Sequence, residues 1–588
     1  MIPIRNIVIA SCLGSSCLTR AEGTAADLPP TTAPAEVPFA TDLPDAAPTP
    51  APAPSPNVTV NLINRLVQKN ILTQAEALAL IQQAEADAAT AAQNAAAAAL
   101  PPPGPDDVRV TYIPEVVRKN MRDEIKQDLM AQAREEKWSE KAAPGWTSKF
   151  RPYGDIRVRY EGSFFPNGND NTGAFPNFNA INTGSPFDTS GSQFSPQYNV
   201  DTERQRTRLR ARLGTEIMLG DGFNGGIRLA TGDSNSPTSP NQSLGGSGGN
   251  FSKYAIWLDR AFLSYDAGPG DGEELTFLAG RFDNPFFSTD IQWDDDLGFD
   301  GLALRGKVKL TDKVSTFFTA GGFPVYNTDF NFASNQPAKF SSTDKWLAAA
   351  QLGIDWKITD DLTAKFGIAY YDYSNIEGKL SSPFTPLTAS DAGDTDTTRP
   401  GFAQRGNTYM ALRDIVPTAA NDFGTKNQYQ YYGLASEFRN LTLTGKLDYD
   451  HFNPLRISLL GEVTKNLAFD KSGIGSRAVN NLGASSGDFA GGDTAWNLGF
   501  QIGKPALEAF GDWQAGFGYR YVESDAVVDG FTDSDFGGGG TNLQGFTLGG
   551  NFALSKAVRC GLRWMSSNEI VGAPLSSDIL QFDLHAKF

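Results

Sequence analysis

Residues 204–217 read Arg-Gln-Arg-Thr-Arg-Leu-Arg-Ala-Arg-Leu-Gly-Thr-Glu-Ile. Side chains of a strand alternate faces, so Arg204, Arg206, Arg208, Arg210 and Arg212 share one side, while Leu209, Ala211, Leu213 and Ile217 share the other. A strand with five guanidinium groups on one face and an aliphatic row on the other separates water from something oily. A soluble sheet also solvates an arginine row, so the fold turns on whether the pattern recurs.

It recurs to the last residue. Leu580, Phe582, Leu584, Ala586 and Phe588 fall on one face, and Gln581, Asp583, His585 and Lys587 on the other. The chain stops inside a strand, on an aromatic. A terminus of a soluble domain tends to fray, whereas a membrane barrel pairs its last strand with its first because no open edge is tolerated in lipid. The pattern therefore predicts an all-β transmembrane barrel, apolar outside and polar within.

Composition is compatible with this. The hydrophobic fraction of the 588 residues is 40%, with 60 Gly and 39 Phe, and the mean hydropathy is only -0.32. After the N-terminus no stretch approaches the ~20 apolar residues of a spanning helix. The net charge of -17 argues against general binding to nucleic acid. Of the three cysteines, Cys12 and Cys17 lie near the N-terminus and Cys560 shares parity with Val558, Leu562 and Trp564, so no disulfide framework is expected.

From residue 146 onward the connections between alternating segments fall into two classes. Short turns occur at Leu219–Gly222, Leu310–Lys313, Ile358–Asp361, Phe452–Leu455 and Leu554–Ala557. Polar stretches rich in Gly, Ser, Asn and Asp separate them at about 163–203, 232–253, 282–299, 324–344, 376–430, 466–493 and 524–541. Outer-membrane barrels alternate short periplasmic turns with long extracellular loops in this way. The segments sum to about sixteen antiparallel strands. The apolar parity switches near Asn440 within 428–452: a bulge there gives sixteen strands, whereas a tight turn with another strand near 403–415 gives eighteen. Sixteen is the reading adopted.

Trp346 and Trp356 lie on the same face at the two ends of one strand, with Ala348, Ala350, Leu352 and Ile354 between them. Ten residues at ~3.3 Å each, tilted by ~40°, rise about 25 Å, the height of the apolar band between aromatic girdles. Trp513 and the pair Tyr519 and Tyr521 repeat the arrangement.

The N-terminal quarter has a different texture. Arg5 precedes an apolar run from Ile7 to Leu18 with small residues around Ala21, the pattern of a signal peptide over 1–21. Ile9-Ala10-Ser11-Cys12 also resembles a lipoprotein cleavage box, although the apolar segment before Cys12 is short. Residues 22–56 form a Pro/Ala-rich extended spacer. A helical segment follows over 57–100, in which Leu62, Ile63, Leu66 and Val67 share one face, Lys69-Asn70 breaks the helix, and Thr73 with Glu76 makes a capping box for the next. Residues 101–145 hold a linker and an amphipathic helix from Pro114 to about Trp138, whose narrow stripe suits packing on a copy of itself or on the barrel base.

Function follows from what lines the bore. Arg228 on the next strand and Arg260 on the one after extend the arginine row into a basic wall. The third long loop carries Asp290, Asp294, Asp295 and Asp296. Folded inward, those carboxylates would oppose the arginines across a constriction with a transverse field. The plainer readings are a solvated surface loop or a calcium site, but Asp294-Asp295-Asp296 lacks the alternating spacing of an EF-hand loop. Arginines facing outward could bind lipopolysaccharide phosphates, but only by sending Leu209 and Leu213 into the lumen. No cofactor or metal site is expected.

The chain resembles the Putative porin family of Gram-negative envelopes. The resemblance lies in Asn57-Val58-Thr59-Val60-Asn61-Leu62-Ile63 with Leu66-Val67-Gln68-Lys69, in Tyr112-Ile113-Pro114-Glu115-Val116-Val117, in Gly154-Asp155-Ile156-Arg157-Val158-Arg159-Tyr160, and in Gly280-Arg281-Phe282 with Asn284-Pro285. It runs from about residue 57 to the end. It implies an outer-membrane channel with a periplasmic helical N-terminal region, and likeness to other sixteen-stranded porins implies a homotrimer in contact with outer-membrane lipid and lipopolysaccharide. In sixteen-stranded diffusion porins as a class the third loop folds inward and narrows the channel.

Two other functions compete. A barrel hydrolase usually needs a positioned base, yet beyond the leader only His451 and His585 are available, with no Ser-His-acid arrangement that sequence assigns; the reading is therefore not an enzyme, with no catalytic residue. A tether is the second, with the N-terminal region holding the membrane to the cell wall, and it is compatible with transport.

Overall fold

The computed structural model describes residues 66–67, 69, 72–97 and 147–588, apart from 247, 269–272, 329–332, 334, 336–341 and 484–485. The leader, the spacer and the helix expected from Pro114 lie outside the described residues. So does Cys12, and with it the lipidation question.

The N-terminal part contains one long helix, α1 (Gln74–Ala97). The Glu76 amide donates to Thr73 Oγ1 at 3.4 Å and the Thr73 amide donates to the Glu76 carboxylate at 2.9 Å, the reciprocal capping expected of those residues. Leu66 and Val67 are helical and Lys69 lies in a turn, as the break before the cap requires. Among the described residues no helix is long and apolar enough to cross a membrane.

The larger part is a closed antiparallel barrel of sixteen strands. In chain order they are β1 (Phe150–Phe164), β2 (Arg204–Gly220), β3 (Phe223–Thr231), β4 (Ile256–Asp266), β5 (Glu274–Asp283), β6 (Gly298–Thr311), β7 (Val314–Tyr326) and β8 (Lys345–Lys357). The second half comprises β9 (Leu362–Ser374), β10 (Arg439–Tyr449), β11 (Arg456–Asn466), β12 (Thr494–Gly503), β13 (Trp513–Val522), β14 (Leu543–Ala553), β15 (Val558–Glu569) and β16 (Ser576–Lys587). Each pairs with its chain neighbour, and β16 pairs with β1 from Asp155↔Lys587 to Phe164↔Asp578. Phe588 completes the seam: its amide donates to the Gly154 carbonyl at 3.0 Å, and its carbonyl accepts from the Gly154 amide at 2.9 Å. The Phe588 ring lies over Gly154, where an added Cβ would meet it at 2.7 Å, so the glycine is needed for the ring to close the wall.

Burial is inverted relative to a soluble sheet. On β1, Ile156, Val158 and Tyr160 are 44%, 40% and 37% exposed, whereas Asp155, Arg159 and Glu161 are 6%, 2% and 4% exposed. Trp346, Leu352, Ile354 and Trp356 are likewise exposed along β8. An apolar skin over a charged interior is stable only where the outside is hydrocarbon.

The long connections share one rim and the turns the other, as expected, and a short connection at 570–575 adds an eighth to the long-loop rim. The parity switch near Asn440 has a different cause from the bulge anticipated. The strand begins only at Arg439, and Tyr432–Leu434 pairs instead with Tyr409–Ala411 inside the fifth loop. The extra strand of the eighteen-stranded alternative thus exists as a three-residue segment folded on its own loop, and the barrel keeps sixteen.

Candidate functional site

The arginine row of β2 faces the bore but carries its counterions with it. The β1–β2 register sets Asp155 opposite Arg212, Arg157 opposite Arg210, Arg159 opposite Arg208 and Glu161 opposite Arg206. Like charges repeated along one strand repel, and carboxylates on the adjacent strand relieve this. Glu161 takes Arg206 at 2.5 Å and Arg208 at 3.3 Å; Asp155 takes Arg210 at 2.8 Å and Arg212 at 2.6 Å. Arg159 binds Asp583 of β16 at 2.7 Å and Asp535 of the seventh loop at 2.8 Å. Arg204 stands exposed at the loop end of its strand, opposite Ser163.

Arg228 and Arg260 join the same wall through a register shift. The β3–β4 pairing passes from Arg228↔Arg260 to Leu229↔Leu258, leaving Asp259 as the additional residue. Arg228 then reaches Asp259 at 2.5 Å and Asp283 at 3.0 Å, and Arg260 reaches Asp283 at 2.6 Å. Arg260 also donates to the carbonyls of Asp296 and Leu297 at 3.2 and 2.7 Å, holding the end of the third loop.

That loop, 284–297, crosses the bore. On the β2 side, Asp296 lies 3.4 Å from Arg210 and 3.3 Å from Arg212. Far along the wall, Asp290 pairs with Arg520 of β13 at 2.6 Å. Between them the Thr289 amide donates to Glu462 of β11 at 2.8 Å, and Gln351 of β8 bonds both the carbonyl and the amide of Phe287 at 2.7 and 2.8 Å. The four carboxylates therefore do not form one front against the arginine row: only Asp296 meets it. Asp294 turns to the seventh loop, accepting the Ser534 amide at 3.0 Å and the Asp296 amide at 2.8 Å. Burial, with Asp533 and Asp296 nearby, pushes the Asp294 carboxyl up to about 9, and burial with Asp290 and Asp296 nearby pushes Asp295 up to about 6.

Two cavities adjoin this loop. One, of about 650 Å³, is lined by the loop's four aspartates and by Arg157, Arg559 and many polar residues of β11–β16. The other, of about 350 Å³, lies among Trp293, Leu297 and the loop-side ends of β6–β9. The wall behind the second is aromatic: Phe282, Phe286, Trp293, Phe299, Phe323, Tyr371 and Tyr373 form one buried cluster. Trp293 meets Phe299 and Tyr371 at centroid distances of 5.0 and 5.2 Å, near perpendicular.

The sequence reading missed Asp155, Glu161 and Asp259 as the partners of the arginines. The first two were legible, since Asp155, Arg157, Arg159 and Glu161 alternate just as the β2 arginines do. Asp533 and Asp535 gave no local signal, because only the fold of the seventh loop brings them to Arg520 and Arg159. His585 sits in the wall, 3.2 Å from Asp155, and His451 is an exposed turn residue 3.1 Å from Asp361.

A family model described as Putative porin matches residues 56–588. No curated protein matches the chain. Among solved structures, the high-pH form of Pseudomonas putida OprB is 13% identical with a TM-score of 0.39, covering 77% of this chain and 97% of that one. The outer membrane channel DcaP of Acinetobacter baumannii is 12% identical (TM-score 0.34; 75% and 97% covered), and an anion-selective porin from Comamonas acidovorans is 12% identical (TM-score 0.35; 75% and 99% covered). Likeness this distant transfers no property of those proteins.

Proposed function

The chain belongs to the Putative porin family, which makes it an outer-membrane channel, and we propose that it passes small hydrophilic solutes and ions by passive diffusion, without catalysis. The observation that carries this reading is the inverted barrel, with exposed aliphatic residues outside and buried, ion-paired arginines and carboxylates inside. In this reading the wall bearing Arg206, Arg208, Arg210, Arg212, Arg228 and Arg260 and the loop bearing Asp290, Asp294, Asp295 and Asp296 border the path of the solute, and the loop narrows it. Charged rings and walls of this type set ion preference through the local field. The barrel works as a homotrimer among outer-membrane lipid and lipopolysaccharide, with the N-terminal region in the periplasm and available to the cell wall.

Reconstitution into a planar bilayer tests the proposal. Stepwise conductance increments in KCl, with a reversal potential in a salt gradient, are the expected result. A protein that inserts but conducts no current would refute it.

A further inference from the structure

The cavity of about 350 Å³ is lined by the loop-side ends of β5, β6, β7, β8 and β9 and by the second, third, fifth and seventh loops. It therefore lies at the loop end of the barrel. Phe299, Phe323, Tyr326, Tyr373, Phe402 and Phe531 give it flat apolar walls. Its charged lining residues are Arg281, Lys345, Asp300 and Asp529, and three of the four are satisfied. Arg281 pairs with Asp300 at 2.7 Å, and Asp529 accepts the Tyr409 hydroxyl at 3.0 Å.

Lys345 is different. It is only 2% exposed, and among the described residues its Nζ meets two backbone carbonyls, of Asn375 at 2.6 Å and Ile376 at 3.3 Å, with no carboxylate. The nearby Glu377 is engaged by Arg477 at 2.5 Å. An ammonium has three donors and a full charge, and burying it without an anion is costly. In the same lining, the Tyr373 hydroxyl is buried with no hydrogen-bond partner among the described residues. Aromatic walls, an unmatched buried cation and room for one ring define the complementary ligand: a flat ring carrying an anionic group.

We propose that this cavity is a subsite for small aromatic carboxylates, which dock their rings among Phe299, Phe323 and Tyr326 and their carboxylate on Lys345 before passing the third loop. The passage step rests on the channel reading; the binding step does not.

The test is calorimetric titration of detergent-solubilised full-length protein with benzoate, and with acetate and benzylamine as controls. Benzoate should bind measurably more tightly than either control. Lys345→Met should weaken benzoate by about tenfold or more, the loss of a charge-assisted bond, and Lys345→Arg by far less. Tyr326→Ala, at a partly exposed wall position, should weaken it without loss of the barrel and serves should Lys345→Met fail to fold. No benzoate binding, benzylamine binding as well as benzoate, or equal benzoate binding to wild type, Lys345→Met and Tyr326→Ala would each overturn the subsite. KCl conductance of the same preparation separates the two claims: benzoate binding without conductance sinks the channel and keeps the subsite, whereas conductance without benzoate binding does the reverse.

Discussion

The two halves of the bore are built on opposite chemistry. Around β1, β2 and β16 the inward side chains are Asp155, Arg159, Glu161, Arg208, Arg210 and Asp583, joined in ion pairs. At the loop-side ends of β5–β9 the inward positions are Phe282, Phe299, Phe323, Ala369, Tyr371 and Tyr373, packed against loops, whereas toward the turns Lys307 and Lys365 pair with Asp355. The third loop is amphipathic between them, giving Phe286, Trp293 and Leu297 to the aromatic half and Asp290, Asp295 and Asp296 to the ionic half. A strand's alternation fixes which side chains point inward, but not whether the inside is wet. Here the β1–β2–β16 wall is ion-paired, while the loop-side ends of β5–β9 carry a hydrophobic cluster that lies inside the barrel.

The strongest way to break that distinction is to remove the aromatic anchor. Trp293 is 4% exposed and touches Phe299, Tyr371 and Phe531. Trp293→Ala should cost about 3–5 kcal/mol, the usual loss for a large buried aromatic. Because the sixteen-strand wall does not depend on the third loop, the loss should appear as release of that loop: higher single-channel conductance and faster proteolysis within 284–297, with the barrel still formed. Unchanged conductance and proteolysis would mean that the aromatic half does not hold the loop.

The ionic half should respond in selectivity. Replacing Arg206, Arg208 and Arg210 together by Ala leaves Glu161 without its two guanidinium partners, while Asp155 keeps Arg212. The wall changes from balanced to acidic, and the cation-over-anion permeability ratio should rise by about threefold or more. A reversal potential identical to wild type would remove these residues from the solute's path.

This contrast also explains what the sequence disclosed. All sixteen strands were legible because lipid imposes strict period-two alternation, and Leu209 and Leu213 cannot enter water without cost. The inward direction of Arg208 and Arg210 followed from the same rule. The partition of the third loop did not, since Asp290, Trp293 and Asp296 obey no local period and are sorted only by distant partners: Arg520, Tyr371 and Arg210. The fifth loop misled for a related reason. Tyr409–Ala411 and Tyr432–Leu434 are strand-like segments whose apolar residues are buried by loop packing rather than by lipid, so their parity broke from that of β10.

The smallest expected effect tests the seam between the third and seventh loops. Asp294 is 6% exposed, meets two backbone amides and no cation among the described residues, and its carboxyl is pushed up to about 9 by burial and by Asp533 and Asp296. The unfolded chain titrates this carboxyl near its ordinary value of about 4. Between those limits the folded state retains a proton that the unfolded state has lost, so the contribution of Asp294 to stability is full below about pH 4, declines as pH rises, and is gone above about 9. Asp294→Asn removes the titration but keeps an acceptor for only one of the two amides, since Asp296 donates to Oδ1 and Ser534 to Oδ2, so the comparison is of pH slopes rather than of absolute melting points. Melting of the detergent-solubilised protein should therefore fall more steeply between pH 6 and 9 for wild type than for the variant, by on the order of a few degrees across that range. Parallel melting curves across that range would show that Asp294 is ionised where it sits.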